Sequence, residues 1–370
     1  MAGEALRILH TESSLGWGGQ EIRVLTEARG VARRGHAVTL AAPAESRIFQ
    51  AAPDFGVEAV AIPIARKSVA GLLAMTRLVR GRPFDVVNTH SSTDSWLAAV
   101  AAAFQRRPPP IVRTRHISAP VPRNFATRWL YGHATSRIVT TGERLRLQVI
   151  EEASVAPAQV ISIPTGIDLE RFRPGNAGEA RAALGLDPAG IVIGIVATMR
   201  SWKGHRYLFE AFAGLADQSA RLVVVGDGPQ REALEALAKT LGIEARVRFT
   251  GNLADVAPWL RAFDLFCLPS YANEGVPQAL MQAMACALPV ITTPVGSIGE
   301  IVQDGETGRL VQPQDSAALR IAIEELLVDA SLRARLATAA RGAALQRFGE
   351  DRMVERMLDV FTAVARASRG

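Results

Sequence analysis

Short aliphatic and β-branched runs alternate along this chain with longer stretches whose apolar positions recur every three to four residues. The first half opens with Leu6-Arg-Ile-Leu-His10, a glycine-rich loop and a helical pattern from about Gln20 to Arg34. Strand-like runs follow at 36–40, 59–62, 85–90, 111–116, 138–141 and 160–163. Strands regularly followed by helices predict a parallel sheet covered on both faces. The pattern restarts after Phe172-Arg-Pro-Gly175, so a linker is expected at roughly 166–178. Further strands are expected at 191–197, 221–225, 247–250, 265–268, 289–292 and 308–311, then helices over 316–347 and 351–367. The expectation is an α/β fold of two doubly wound parallel-sheet domains, 1–168 and 169–350, with 351–370 as a terminal helix. Ligands bind beyond the carboxyl ends of strands in such sheets. Two in tandem suggest a cleft, with the functional residues just after strands.

Four groups of residues meet that condition. Gly16-Trp-Gly18-Gly19-Gln-Glu21 follows the first strand and opens a helix, where free N–H groups and the helix dipole favour an anion. It fits neither the dinucleotide fingerprint nor the P-loop, and read alone it is a tight turn. Arg200-Ser-Trp-Lys203-Gly204 follows the first strand of the second half, and its two cations can neutralise phosphate oxygens. The chain has no Asp-x-Asp, so a carboxylate-held Mg²⁺ has no obvious ligands. Glu274-Gly275-Val-Pro277-Gln278-Ala279-Leu-Met-Gln282 reads as a helix start at Pro277. Leu280, Ala283, Met284 and Ala287 form an apolar stripe there, and Gln278 and Gln282 share another face. Glu274, just before the helix, stands where sugar hydroxyls would be held; its bland reading is a capping carboxylate. Finally, His90 and His116 end successive strand-like runs. A lone histidine at a strand end is more often structural, and the pair shifts that balance towards function.

Composition narrows the classes. The chain has 370 residues, 48% hydrophobic and 21% charged, which is globular rather than disordered. The apolar run 96–104 is too short to span a bilayer and the N-terminus lacks a signal-peptide layout, so a cytoplasmic protein is expected. Cys267 and Cys286 have no metal-type spacing and read as buried thiols in a reducing compartment. The net charge is +6, and residues 1–166 hold 20 Lys and Arg against 12 Asp and Glu. Such an excess suits general solubility as well as an anionic lipid, nucleic acid or phosphorylated acceptor. Aromatics are only 6%, and the basic residues are not interleaved with stacking rings, which argues against a nucleic-acid-binding module.

These residues, taken in order, resemble the retaining GT-B glycosyltransferases of family 4 over nearly the whole chain. The match rests on Gly18-Gly-Gln-Glu21, on Arg200 with Lys203-Gly204, and on Glu274 followed by Gln282 and Ala287-Leu-Pro-Val290. The resemblance implies two Rossmann-like domains facing a cleft, with the terminal helix crossing back to the first. It implies a metal-independent hexosyltransferase, without a cofactor, that uses a nucleotide-diphosphate sugar, UDP- or GDP-linked. The acceptor would be a glycan or a lipid-linked molecule, as in lipopolysaccharide or polysaccharide assembly. Anionic lipid on the inner face of the cytoplasmic membrane would be a peripheral contact, and nucleic acid no partner. By resemblance Glu274 holds donor-sugar hydroxyls, Arg200 and Lys203 neutralise the diphosphate, and His116 lies beside the reacting centre. Gly18 and Gly19 lie near the phosphate and the transferred sugar. Asn252 and Leu253 meet the base, the backbone N–H groups of Gln278 and Ala279 are available to the phosphates, and Gly275 belongs to the nucleotide-sugar site. His90 and Arg115 are acceptor-side candidates. Gln282 stands where the family has a ribose-binding glutamate; it can donate and accept but carries no charge. Rival readings are a nucleotide-sugar 2-epimerase on the same scaffold and a nucleotide-dependent oxidoreductase, the latter lacking its glycine pattern.

Overall fold

Runs such as Val192-Ile-Gly-Ile-Val196 and Leu265-Phe-Cys-Leu268 lack polar alternation because a parallel sheet covered on both faces buries both sides of its strands. The structure, a computed structural model, describes residues 4–272 and 274–369. It divides into one unit of residues 1–166 with 350–370 and a second unit, Ile167–Gly349.

The first unit carries β1 (Arg7–Thr11), β2 (Ala37–Ala42), β3 (Glu58–Ala61), β4 (Val86–Thr89), β5 (Ile111–Arg115), β6 (Arg137–Thr140) and β7 (Val160–Ser162). They pair in parallel in the order β3-β2-β1-β4-β5-β6-β7. Successive side chains leave a strand on opposite faces, so adjacent residues join different cores. Ile8, Val86 and Val139 pack with Val24, Leu25 and Ala28 of the Gly19–Arg33 helix, whereas Leu9, Val87 and Ile138 pack with Leu97 and Ala98 of the Ser92–Ala103 helix.

The Glu350–Arg369 helix belongs to the first of these cores. It buries Met353, Val354, Met357, Val360, Phe361 and Val364, a stripe at helical spacing. Its contact with the Gly19–Arg33 helix is close: a Cβ on Gly30 would lie 2.5 Å from Val354 Cγ2. At its start, Arg29 Nη2 donates to both carboxylate oxygens of Glu350, at 3.1 and 2.9 Å.

The second unit carries β8 (Val192–Val196), β9 (Arg221–Val225), β10 (Val247–Gly251), β11 (Leu265–Leu268), β12 (Val290–Thr292) and β13 (Arg309–Leu310). The order is β10-β9-β8-β11-β12-β13, again parallel. In each sheet, therefore, the order reverses beside its first strand, between β1 and β4 and between β8 and β11. Loops leaving the two strands at such a point diverge and open a crevice. Phe209, Phe212 and Phe266 anchor a core that runs through the whole second unit.

Three local expectations are revised. The segment after residue 166 is packed: Phe172 joins the core of the second unit, Arg171 Nη2 pairs with Asp255 at 2.9 Å, and Arg261 Nη2 donates to the Arg171 carbonyl at 2.8 Å. Missing periodicity marked irregular backbone there, not a loose tether. The helical stretch 316–347 is two helices, Ser316–Val328 and Ala330–Arg347, broken at Asp329. The Asp329 carboxylate accepts from Leu332 N at 2.9 Å and caps the second helix. The expected start at Pro277 moves to Gln278, with Pro277 as the extended residue before it, and Ala287 lies beyond the helix end with φ +57°. Cys267 and Cys286 are both buried thiols, the latter just past that helix. No helix among the described residues is long and apolar enough to cross a membrane.

His205, on the His205–Ala213 helix, is buried with neither ring nitrogen partnered. Burial, helped by the Lys203 charge, lowers its pKa from 6.5 to about 3. Between those values the unfolded chain binds a proton that the folded chain does not. Stability is therefore lost as pH falls below 6.5, by up to about 1.4 kcal/mol per pH unit. We expect His205→Leu to remove this slope. In urea denaturation its stability relative to the native protein should rise by about 2 kcal/mol between pH 7.5 and pH 5. An unchanged difference would mean that the ring ionises in place.

Candidate functional site

At the reversal point of the second unit, the loop after β8 is a single turn, Ser201–Lys203, closed by Gly204. Gly204 has φ +77°, and a Cβ there would overlap the Pro269 carbonyl oxygen, so only glycine lets this loop seat on the end of β11. The two loops are then tied by Tyr271 N donating to the Trp202 carbonyl at 2.8 Å. This brings Lys203 Nζ within 2.6 Å of Glu274 Oε1, and Ser270 Oγ donates to the same oxygen at 2.6 Å. Glu274 is 4% exposed, and the Lys203 side chain keeps 20%. Behind them Thr293 Oγ1 bonds the Ser270 carbonyl. Gly296, with φ +61°, fits under the Glu274 backbone where a Cβ would overlap its carbonyl oxygen.

The two predicted cations thus occupy different settings. Lys203 is half of a buried ion pair whose mutual attraction is largely offset by desolvation. Arg200 is exposed, its guanidinium 5.2 Å from the Trp202 ring centroid, and makes no ion pair with a described residue. Gln278, Ala279 and Gln282 lie half-buried on the Gln278–Ala285 helix, opposite buried Leu280, Ala283 and Met284. Gly275 lies between Glu274 and that helix, partly exposed. Asn252 and Leu253 leave the edge strand β10, two strands from β8, and are exposed. Sequence reading passed over the turn after β9. There Asp227 O accepts from Met199 N at 2.9 Å and Gln230 N donates to Met199 O at 3.0 Å, so this turn braces the Arg200 loop. Its signal was the run Gly226-Asp-Gly-Pro229 at a strand end.

The first unit has a corresponding carboxylate that sequence reading also missed. Glu12, one residue past β1, is fully buried. It accepts from Ser14 N at 2.8 Å, from Ser91 Oγ and from Gln20 Nε2. Gln20 also donates to Ser91 Oγ at 3.1 Å. Gly18 and Gly19 stand at the start of the Gly19–Arg33 helix, so Glu12, through Gln20, ties their turn to the loop after β4. Burial raises the Glu12 pKa, opposed by the Ser91, Gln20 and Ser14 bonds. Beside it Asp94 accepts from Thr11 Oγ1 at 2.7 Å, His90 N at 2.9 Å and Ser91 N at 2.9 Å. Burial, then the Glu12 charge, raise its pKa to about 7.

His90 and His116 are neighbours in a longer chain. His10 Nδ1 lies 2.9 Å from His90 Nε2, and His90 Nδ1 lies 3.0 Å from His116 Nε2. Exposure falls from 9% at His116 to 5% at His90 and 0% at His10. His90 therefore has both ring nitrogens engaged by other histidines and offers neither to a ligand. Burial holds all three pKa values down, to about 3 at His10, so the rings are neutral at pH 7. Arg115 reaches the Tyr131 hydroxyl at 2.7 Å and the Ala119 carbonyl, half-buried against that segment.

Residues 17–171 match the model of Glycosyltransferase Family 4, and residues 190–329 that of Glycosyl transferases group 1. The D-inositol 3-phosphate glycosyltransferase of Actinosynnema mirum is 31% identical over 394 aligned residues, covering 93% of this chain and 92% of that protein. Its counterpart from Rhodococcus erythropolis is 30% identical, covering 87% and 81%. Among solved structures, a Rickettsia africae glycosyltransferase superposes with a TM-score of 0.88 at 18% identity, covering 98% of this chain and 99% of that one. Anabaena Alr3699/HepE in complex with UDP gives 0.85 at 22% identity, covering 97% and 100%. Two parallel-sheet, Rossmann-like units are the fold of GT-B glycosyltransferases, and the chain belongs to the group 1, family 4 glycosyltransferases.

Proposed function

We propose that this glycosyltransferase moves a hexosyl group from a nucleoside-diphosphate sugar, UDP- or GDP-linked, with retention of configuration and without a metal or other cofactor. The observation that carries the reading is the Lys203–Glu274–Ser270 cluster at the β8/β11 reversal. In the displacement the bond between the anomeric carbon and the phosphate oxygen breaks as the acceptor hydroxyl enters on the same face, and the acceptor's proton passes to the departing phosphate oxygen. Negative charge grows on the departing oxygen, and fixed cations stabilise it without reorganising. Lys203 is already held by Glu274, so its ammonium needs no further ordering; Arg200 supplies the second, open donor set. Glu274, held by Lys203 and Ser270, is assigned to the donor sugar's hydroxyls. Gln278 and Ala279 are assigned to the phosphates at the helix start, Gly275 to the nucleotide-sugar site beside them, Gln282 to ribose, and Asn252 with Leu253 to the base. In the first unit, His116 and the Gly18–Gly19 turn are assigned to ligand contact. That Anabaena Alr3699/HepE has been solved with UDP-glucose is consistent with a UDP-sugar donor.

The acceptor is proposed to be anionic. Arg66, Lys67, Arg77, Arg80, Arg106, Arg107 and Arg128 are all exposed on the first unit. One form of this reading is a glycan or lipid-linked acceptor for lipopolysaccharide or polysaccharide assembly, taken at the inner face of the cytoplasmic membrane. The names of the relatives favour a second form, an inositol phosphate.

Arg200→Ala, at an exposed position, should lower turnover about 100-fold or more with an unchanged melting temperature. Lys203→Ala should lower turnover similarly, and it should also destabilise the second unit by about 3 kcal/mol because Glu274 is left buried without its cation. Product analysis with UDP- and GDP-sugars checks both; near-normal rates in the two variants would refute their assignment. Gln282→Glu should keep or tighten UDP binding in calorimetry, and a large loss would remove Gln282 from the ribose site. For the lipid-linked form, vesicles rich in anionic lipid should retain the protein at low salt and release it at high salt. An unbound protein would leave the soluble phosphorylated acceptor.

A further inference from the structure

The three-histidine chain can carry its protons in either of two directions, and these differ at its buried end. A neutral imidazole carries one N–H, so a ring bonded at both nitrogens must donate with one and accept with the other. His90 is such a ring. Choosing where His10 keeps its proton therefore fixes all three. His10 Nε2 is the blind end: it is buried and has no hydrogen-bond partner among the described residues, and its ring lies T-shaped to that of Phe361 with centroids 6.1 Å apart. A proton there would be an orphaned buried donor, and orphaned buried N–H groups are rarer than under-satisfied acceptors. The proton accordingly sits on Nδ1 and is donated to His90 Nε2. His90 must then carry its own on Nδ1 and donate it to His116 Nε2. With that nitrogen accepting, His116 is protonated on Nδ1, which makes no hydrogen bond to a described residue.

We propose that His10 and His90 are positioning residues that lock His116 in its Nδ1–H form, so that His116 meets the ligand as a hydrogen-bond donor and not as a base. The proposal rests on the assignment of His116 to ligand contact made above. The rings stack, His10 on His90 at 5.2 Å and 8°, His90 on His116 at 5.3 Å and 33°, so orientation and proton location are set together. The charged group acting on both His90 and His116 is Arg23, from the Gly19–Arg33 helix; like burial, it disfavours a second proton on either ring. An Nδ1–H donor can hold a sugar hydroxyl or ring oxygen in place. It has no free lone pair with which to take a proton from the acceptor.

The test is long-range ¹H–¹⁵N correlation on the full chain labelled with ¹⁵N-histidine at pH 7, with the His116 signals assigned by their loss in His116→Gln. The expected spectrum shows His10, His90 and His116 all protonated on Nδ1. Protonation of His116 on Nε2 would overturn the proposal, and this readout needs no substrate. His10→Leu removes the donor at the blind end, whereas His10→Asn keeps an amide N–H near the Nδ1 position. His10→Leu should lower kcat about tenfold with the donor KM within twofold, and shift His116 towards Nε2–H; His10→Asn should restore both. An unchanged kcat in a folded His10→Leu would also overturn the proposal. Full activity in His116→Gln, with the Nδ1–H spectrum intact, would instead remove His116 from the ligand site and leave the relay standing as structure.

Discussion

A carboxylate buried where a parallel sheet reverses its strand order must be answered by donors from the loops on either side, because its desolvation is otherwise uncompensated. In the second unit that carboxylate is Glu274, met by Lys203 from the loop after β8 and by Ser270 from its own loop. In the first it is Glu12, met by Ser14 from its own loop, by Gln20 from the first turn of the Gly19–Arg33 helix and by Ser91 from the loop after β4. The same constraint thus fastens two diverging loops in each sheet. Loops at such a point have no strand pairing between them, so these side-chain bonds supply the rigidity that a binding site needs.

The rigidity reaches back into the core of the first unit. Arg23, fully buried, donates to the Ile163 carbonyl at 2.9 Å and to Thr165 Oγ1 at 3.1 Å, and lies 3.7 Å from Glu27. Glu27 accepts from Asn88 Nδ2 at 3.1 Å, and Asn88 Oδ1 accepts from Thr114 Oγ1 at 2.9 Å. One side-chain path therefore joins the Gly19–Arg33 helix to β4, β5 and the end of β7. The helix whose first residues follow the glycine turn is held by polar contacts as well as by its apolar face. Truncating any member would leave the others buried and unmatched, which costs more than the net worth of the bond removed.

The strands were legible because burial on both faces erases polar alternation, and every expected run became a strand to within a residue or two, as with Val247–Gly251 and Val290–Thr292. What local pattern could not show was packing of irregular backbone, as at Phe172, or a one-residue cap, as at Asp329. The candidate site was legible as strand-end residues and illegible as pairs. Lys203 and Glu274 are 71 positions apart, and they meet only because β8 and β11 are neighbours, a fact of strand order and not of sequence. Glu12 has the same strand-end placement as the chosen residues. It was passed over because a lone glutamate carries no motif.

His10 was missed for a related reason, and the register shows why it matters. His10 pairs with Asn88, and Asn88 with Val112, so along β1, β4 and β5 the three histidines stand on a diagonal, each further towards the carboxyl edge than the last. A residue inside a strand and two residues just past neighbouring strands become one stack only through that stagger. The diagonal runs from a fully buried ring to a nearly buried one. A proton position fixed deep in the core is in this way carried to the edge of the sheet, where neutral rings transmit it without placing a charge in the interior. The parallel register that builds the sheet thus also decides which nitrogen of His116 carries hydrogen.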